Sequence, residues 1–358
     1  MDTSEVPGDI NHDRRRFLGA AGAVALAVGT TQLGMIGSAK AQTGRVGSAG
    51  LATAGLAAAS TAFGPVKQIN AGVLNVGYVD AGPADGRPVI LLHGFPYDIH
   101  SFVEVAPLLA ARGYRVIVPY MRGHGTTTFL SSRTPRDAQQ SVMALDVLAL
   151  MDALKIEKAV LAGYDLGSRS ADIIAALWPH RCKALVSTTG YLITNPVANL
   201  EPTKPSLEWA FWYQYYFSTE RGMKGLTEYR HDLGELIWKF NSPTWNFGEA
   251  TYNTTAAAFN NPDYVAIIID NYRWRLDLVP GDPRYAAIEK KLDAAPTIAV
   301  PTITVDGKYD PFTPPGDGAL YRAHFTGKYD HRTFDVGHNV PQEAPQSFAQ
   351  TVVDVDRF

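Results

Sequence analysis

Short, largely apolar runs recur along the chain at residues 89–92, 115–119, 159–162, 184–187 and 301–305, and each has the character of a strand buried on both faces. Between the earlier runs lie stretches with apolar positions at helical spacing, at about 101–111, 138–154 and 170–178, the second opened by Pro135. Residues 66–69 and 73–79 flank Asn70-Ala71-Gly72 and predict a hairpin ahead of this series. Strands alternating with helices at such intervals predict an α/β class, with a mostly parallel sheet covered by helices on both faces.

After residue 187 the alternation stops. Residues 195–293 are rich in aromatics, broken by prolines and marked by helical patches. The strand pattern then resumes at 301–305, with a helix expected near 317–324, a strand at 332–335 and a last helix at 345–353. The chain is therefore expected to build its core from residues 65–194 and 294–358, with 195–293 inserted as a helical lid over the carboxyl ends of the strands. Residues 42–64 are Ala/Gly/Ser/Thr-rich with almost no charge and read as a linker. Ahead of them, Arg14-Arg15-Arg16-Phe17-Leu18, a mildly apolar segment to about Gly37, and Ala39-Lys40-Ala41 resemble a bacterial twin-arginine signal. That resemblance implies passage through the Tat export machinery, removal of residues 1–41, and work in the periplasm or outside the cell. The alternative, a membrane anchor, sits poorly with the many Gly and Thr in the segment.

With 358 residues, 46% of them hydrophobic and 19% charged, the chain can bury a large core. A net charge of -3 supplies no basic surface for nucleic acid, and the nine His show no metal-ligand spacing, so neither a metal nor an organic cofactor is expected. Cys182 is the single cysteine, which rules out an intramolecular disulfide, and it reads as a small buried hydrophobe.

The sharpest local feature is Gly163-Tyr164-Asp165-Leu166-Gly167, lying between an apolar run and a helical one. Glycines two before and two after the central residue suit a tight strand-to-helix turn that leaves no room for a Cβ. Taken alone the pattern is also compatible with an acidic turn or a helix cap. Read with His93-Gly94-Phe95-Pro96, Asp306-Gly307-Lys308-Tyr309-Asp310 and Gly337-His338-Asn339, in that order, it resembles the α/β-hydrolase fold across residues 65–358. The Asp in place of the usual Ser is similar to the branch containing epoxide hydrolases and haloalkane dehalogenases. The resemblance implies Asp165 as a nucleophile that forms an ester, His338 as the base that activates water, and Asp310 as the acid that orients the imidazole. Asp306 is the nearest competitor of Asp310 and is assigned to the turn. The backbone N–H groups of Phe95 and Leu166 would hold the oxyanion, while His93, Arg122 and His124 are expected to brace their loops.

Two leaving groups suit this branch, and they need different donors. A halide wants N–H groups, commonly from a Trp after the nucleophile and a Trp or Asn after His-Gly, where this chain has Leu166 and Phe95. An epoxide oxygen needs acidic hydroxyls, and Tyr213-Gln214-Tyr215-Tyr216-Phe217 and Tyr272-Arg273 resemble the lid motifs that carry them in soluble epoxide hydrolases. Tyr213 and Tyr272 are thus the implied ring-opening pair, although a lid helix could also use such tyrosines for packing alone. The expectation is a hydrolase that takes an apolar epoxide to a diol. Dehalogenation with an N–H from Trp209, Trp212, Trp245 or Trp274 is the alternative, and a lidded binding protein without turnover is a third. Arg169 is similar to one of two arginines that hold the carboxylate in fluoroacetate dehalogenases. Because the other position is Leu166, Arg169 is taken as a surface or structural residue of the first helical turn. Oligomeric state is left open.

Overall fold

The protein is represented by a computed structural model that describes residues 64–358 apart from Pro314 and Pro315. The expected signal at 1–41, and the expected linker up to residue 63, lie outside the described residues. In chain order the elements are β1 (Lys67–Ala71), β2 (Leu74–Ala81), β3 (Arg87–Leu92), α1 (Val105–Ala110), β4 (Tyr114–Pro119), β5 (Thr128–Phe129), α2 (Gln140–Ala153), β6 (Ala159–Gly163), α3 (Leu166–Leu177) and β7 (Cys182–Thr188). Six helices follow: α4 (Pro205–Ala210), α5 (Trp212–Ser218), α6 (Glu220–Asn241), α7 (Glu249–Ala256), α8 (Tyr264–Arg275) and α9 (Ala286–Leu292). The chain then returns through β8 (Thr302–Gly307), β9 (Tyr329–Phe334), α10 (Val340–Glu343) and α11 (Pro345–Asp356).

The strands form one sheet in the order β1-β2-β4-β3-β6-β7-β8-β9, with β5 beside β2. From β4 to β9 every pairing is parallel, whereas β1, β2 and β5 are antiparallel. Successive side chains of each strand go to opposite faces, which is why these runs are apolar throughout. Val89, Leu91, Val160 and Val186 join the core that includes Leu109 of α1 and Phe348 of α11, while Ile90, Leu92, Leu161 and Leu185 join Val147 of α2 and Ile173 of α3. Each such side chain contributes about 1.5–3 kcal/mol on burial. The pairing register sets Leu92 beside Gly163, Gly163 beside Ser187, Thr188 beside Val305, and Gly307 beside Phe334. The loops that follow these carboxyl ends therefore emerge on one edge of the sheet.

Three local expectations are corrected. The helix expected over 101–111 is split into a 3-10 turn at Ile99–Phe102 and α1, because Asp98 caps the turn by accepting from the His100 N–H. The helix expected from about Ala138 begins at Gln140, since the Ala138 N–H donates to Asp270 and the Ser141 N–H to Glu289. The helix expected near 317–324 is only a 3-10 turn at Arg322–His324, as Gly318 turns the chain with a φ of +75°.

The segment between β7 and β8 is anchored to the strand-end loops. The Trp238 indole donates to the Pro96 carbonyl at 2.7 Å and stacks on Tyr97, and the His338 N–H donates to the Asn241 carbonyl at 3.1 Å. A Cβ on Gly337 would meet the Ser242 Cα at 2.6 Å, so the close approach of the end of α6 requires glycine there. Among the described residues, no helix is long and apolar enough to cross a membrane.

Candidate active site

Asp165 lies between β6 and α3 with φ +52° and ψ -126°, a strained conformation for a residue with a Cβ. The turn is as tight as its glycines imply. A Cβ on Gly167 would meet the Leu92 carbonyl oxygen at 2.1 Å, and one on Gly163 would meet the Gly167 backbone at 2.7 Å. The strain is held because β3, β6 and α3 pack directly on one another.

This corner presents the two carboxylate oxygens of Asp165 differently. Oδ1 accepts the Phe95 N–H at 2.8 Å, and the Leu166 N–H also serves the carboxylate. Oδ2 faces Nε2 of His338 at 3.7 Å, within ion-pair range but beyond a hydrogen bond. Nε2 has no hydrogen-bond partner, while Nδ1 of His338 contacts Asp310 Oδ2 at 2.7 Å. The other oxygen of Asp310 accepts the Phe312 N–H at 2.9 Å, and the Phe312 ring lies edge-on to the imidazole. Asp310 and His338 come from the loops after β8 and β9, which the sheet register brings beside the turn at Asp165.

The electrostatics are those of a buried ion pair. Burial alone would lower the His338 pKa, but the carboxylates of Asp310 and Asp165 push it up to about 10. Burial alone would raise Asp165, yet His338 and the N–H groups of Phe95 and Leu166 hold it down at about 2. A charged carboxylate thus meets a charged imidazole at neutral pH.

Tyr213 of α5 and Tyr272 of α8 are buried, with ring centroids 5.7 Å apart, and Phe95 touches both rings. Their phenols are raised, first by burial, and the Asp165 carboxylate adds to the rise in each. Both hydroxyls therefore lie in the field of the Asp165 carboxylate. A cavity of about 300 Å³ is lined by Asp165, His338 and Tyr213 together with Arg169, Gln214 and Arg275, while Tyr272 lies behind Tyr213 and not on the cavity wall. None of the six tryptophans lines it.

The remaining residues are held elsewhere. Asp306 accepts from the Tyr321 hydroxyl at 2.7 Å and faces His331, not His338. His93 has both ring nitrogens engaged by backbone groups, at Gly94 and Met121. Arg122 is buried against Asp146 and Asp137, and its carbonyl meets His124 Nδ1. Cys182 is buried, and burial pushes its thiol up to about 12.

Arg169 is not on the surface, which narrows the sequence-based expectation. It is 5% exposed and lines the cavity, with Nε donating to the Leu192 carbonyl at 2.9 Å and Nη1 unpartnered. One signal for it was available, because a position four beyond Asp165 lies one helical turn along the same face of α3. Arg275 carried no such local signal.

The model of the alpha/beta hydrolase fold family matches residues 87–345. The chain belongs to this family. The hydrolase is 56% identical to a candidate epoxide hydrolase from Klebsiella pneumoniae subsp. pneumoniae, whose crystal structure superposes with a TM-score of 0.80 over 82% of this chain and 97% of that one. It is 32% identical over 167 residues to epoxide hydrolase B of Mycobacterium tuberculosis, covering 43% of this chain and 46% of that protein. A haloalkane dehalogenase of Mycobacterium marinum is 34% identical over 123 residues, covering 34% of this chain and 40% of that one. The hydrolase thus matches less than half the length of these two relatives.

Proposed function

We propose that this hydrolase opens epoxides to diols through an ester on Asp165. The observation that carries the reading is the unequal treatment of the two oxygens of Asp165: Oδ1 is tied to the Phe95 N–H, and Oδ2 faces the imidazole with two phenols in its field. Oδ2 attacks an epoxide carbon as the C–O bond breaks, and the electron pair passes to the ring oxygen. Tyr213 and Tyr272 hydrogen-bond that oxygen, and one of them gives it a proton. The ester has no charge, so His338 loses one of its two carboxylate partners, its pKa falls, and its proton passes to the phenolate, restoring the phenol. The neutral imidazole, aligned by Asp310, takes a proton from water as the oxygen of that water attacks Cγ. The new oxyanion at Oδ1 lies at the N–H groups of Phe95 and Leu166. Collapse expels the diol, whose leaving oxygen takes the proton from His338, and the carboxylic acid left on Asp165 gives its proton back to the imidazole, restoring the ion pair.

Residues 195–293 act as the lid in this reading, since they supply both phenols. The lack of any tryptophan on the cavity wall favours an epoxide over a halide, as does the name of the Klebsiella relative, which exceeds the dehalogenase in both identity and coverage. We also propose that the chain is exported by the Tat route and cleaved after Ala41, on the strength of Arg14-Arg15-Arg16-Phe17-Leu18 and Ala39-Lys40-Ala41. Amino-terminal sequencing of protein from the periplasm tests this; a full-length cytoplasmic chain would refute it.

The chemical test is intact mass of His338→Gln protein exposed to epoxides and haloalkanes. A gain equal to the whole mass of an epoxide, absent when Asp165 is also Asn, is the expected result. A gain equal to substrate minus hydrogen halide would replace the reading with dehalogenation, and no adduct from either class would overturn the ester.

A further inference from the structure

The wall of the cavity carries positive charge that ring opening does not use. Arg169 is almost wholly buried there, and burial together with the neighbouring Arg275 pushes its guanidinium down to about 10, still charged at neutral pH. Nη1 has no partner. Arg275 lines the same cavity with its guanidinium 5.7 Å from the Phe211 ring centroid. Among the described residues, neither arginine forms an ion pair. Asp165 and Asp172 lie within electrostatic reach of Arg169, but the first faces His338 and the second accepts the Leu192 N–H.

Two like charges lining one small cavity repel each other, Arg169 buried and Arg275 half-buried, and an unpaired buried donor forfeits its hydration. An arrangement of this kind is stabilised when an anion enters. A carboxylate suits it, because its two oxygens can accept from the fork-like donors of both guanidinium groups. Such a substrate would otherwise be repelled by the carboxylate of Asp165, so the cations also allow it to approach the nucleophile.

We infer that the substrate is a compact epoxide bearing a carboxylate, and that Arg169 and Arg275 hold the carboxylate while Asp165 meets the ring. The inference rests on the epoxide reading and revises the expectation of an apolar substrate. The cavity volume of about 300 Å³ is at the small end for ligand sites, in keeping with a short epoxy acid.

Two measurements separate this inference from the reading beneath it. The first compares kcat/KM for epoxy acids and their amides, glycidate with glycidamide and epoxyhexanoate with epoxyhexanamide, in wild type, Arg169→Gln and Arg275→Gln. At least one acid should be preferred to its amide by about tenfold or more, and the preference should fall toward unity in both variants. The ratio within one preparation does not depend on the fraction that is folded. The second is calorimetric binding of unreactive butyrate and butyramide to the same three proteins, where the acid should bind about tenfold tighter to wild type alone. Acids and amides turned over equally, with butyrate no tighter than butyramide, would overturn the anion site and leave the epoxide reading standing. Arginine-dependent preference for butyrate without turnover of any epoxide would uphold the anion site and remove the epoxide.

Discussion

Two Asp–His pairs lie near the ends of β8 and β9, and only one is left free to react. In the first, His331 has Nδ1 on the Thr304 hydroxyl at 2.9 Å and Nε2 on the Gly316 carbonyl at 3.1 Å, while Asp306 is 3.7 Å from the ring and is held by Tyr321. In the second, His338 has Nδ1 on Asp310 at 2.7 Å and Nε2 without a partner, 3.7 Å from Asp165. An imidazole with both nitrogens engaged ties strand to loop. One with a single nitrogen engaged can pass a proton, and its direct carboxylate partner fixes which nitrogen remains free.

Substitutions at the two pairs should therefore differ by orders of magnitude. His338→Gln is expected to lower kcat by about 10³–10⁴ with the ester accumulating, which single-turnover kinetics and mass would record. Asp310→Asn should cost about 10²–10³ in kcat with little change in ester formation, because the imidazole loses its orienting acceptor. If Asp306→Asn proved as damaging as Asp310→Asn, the assignment of the two acids would be wrong. Tyr213→Phe should slow ester formation by about 10–100-fold, and Tyr272→Phe similarly, since one donor to the ring oxygen remains in each.

A smaller effect concerns pH. Asp165→Asn imitates the uncharged ester and removes one of the charges that raise His338, so the imidazole should titrate below the about 10 set by both carboxylates, as NMR of the ring would measure. The sign follows directly: where ester hydrolysis limits turnover, kcat rises with pH as the imidazole of the ester form loses its proton, then levels off. An unchanged titration in Asp165→Asn would remove the account of how the base is released. The smallest expected effect is that of His331→Gln, with kcat within about twofold of wild type and a Tm a few degrees lower from the lost hydrogen bonds.

The sheet and the turn at Asp165 were legible because each rests on short-range constraints. The apolar runs of β3, β6 and β7 read as strands buried on both faces, and Gly163 and Gly167 stand where backbones meet too closely for a Cβ. The helix boundaries failed where distant residues took over backbone groups, as Asp270 and Glu289 do at the start of α2. The burial of Arg169 is not legible locally, because its surroundings come from elsewhere in the chain, with Leu192 and Arg275 at its side.

The sequence by itself determined the α/β class, the strained corner and the order of its acidic and basic groups, since period and glycine spacing act over a few residues. Only the tertiary structure decided that Tyr213 meets Tyr272, that His338 takes Asp310 and leaves Asp306 to Tyr321, and that two guanidinium groups share the cavity. These meetings join segments far apart in the chain, and they exist because the helices after β7 pack over the strand ends. No local pattern encodes such packing.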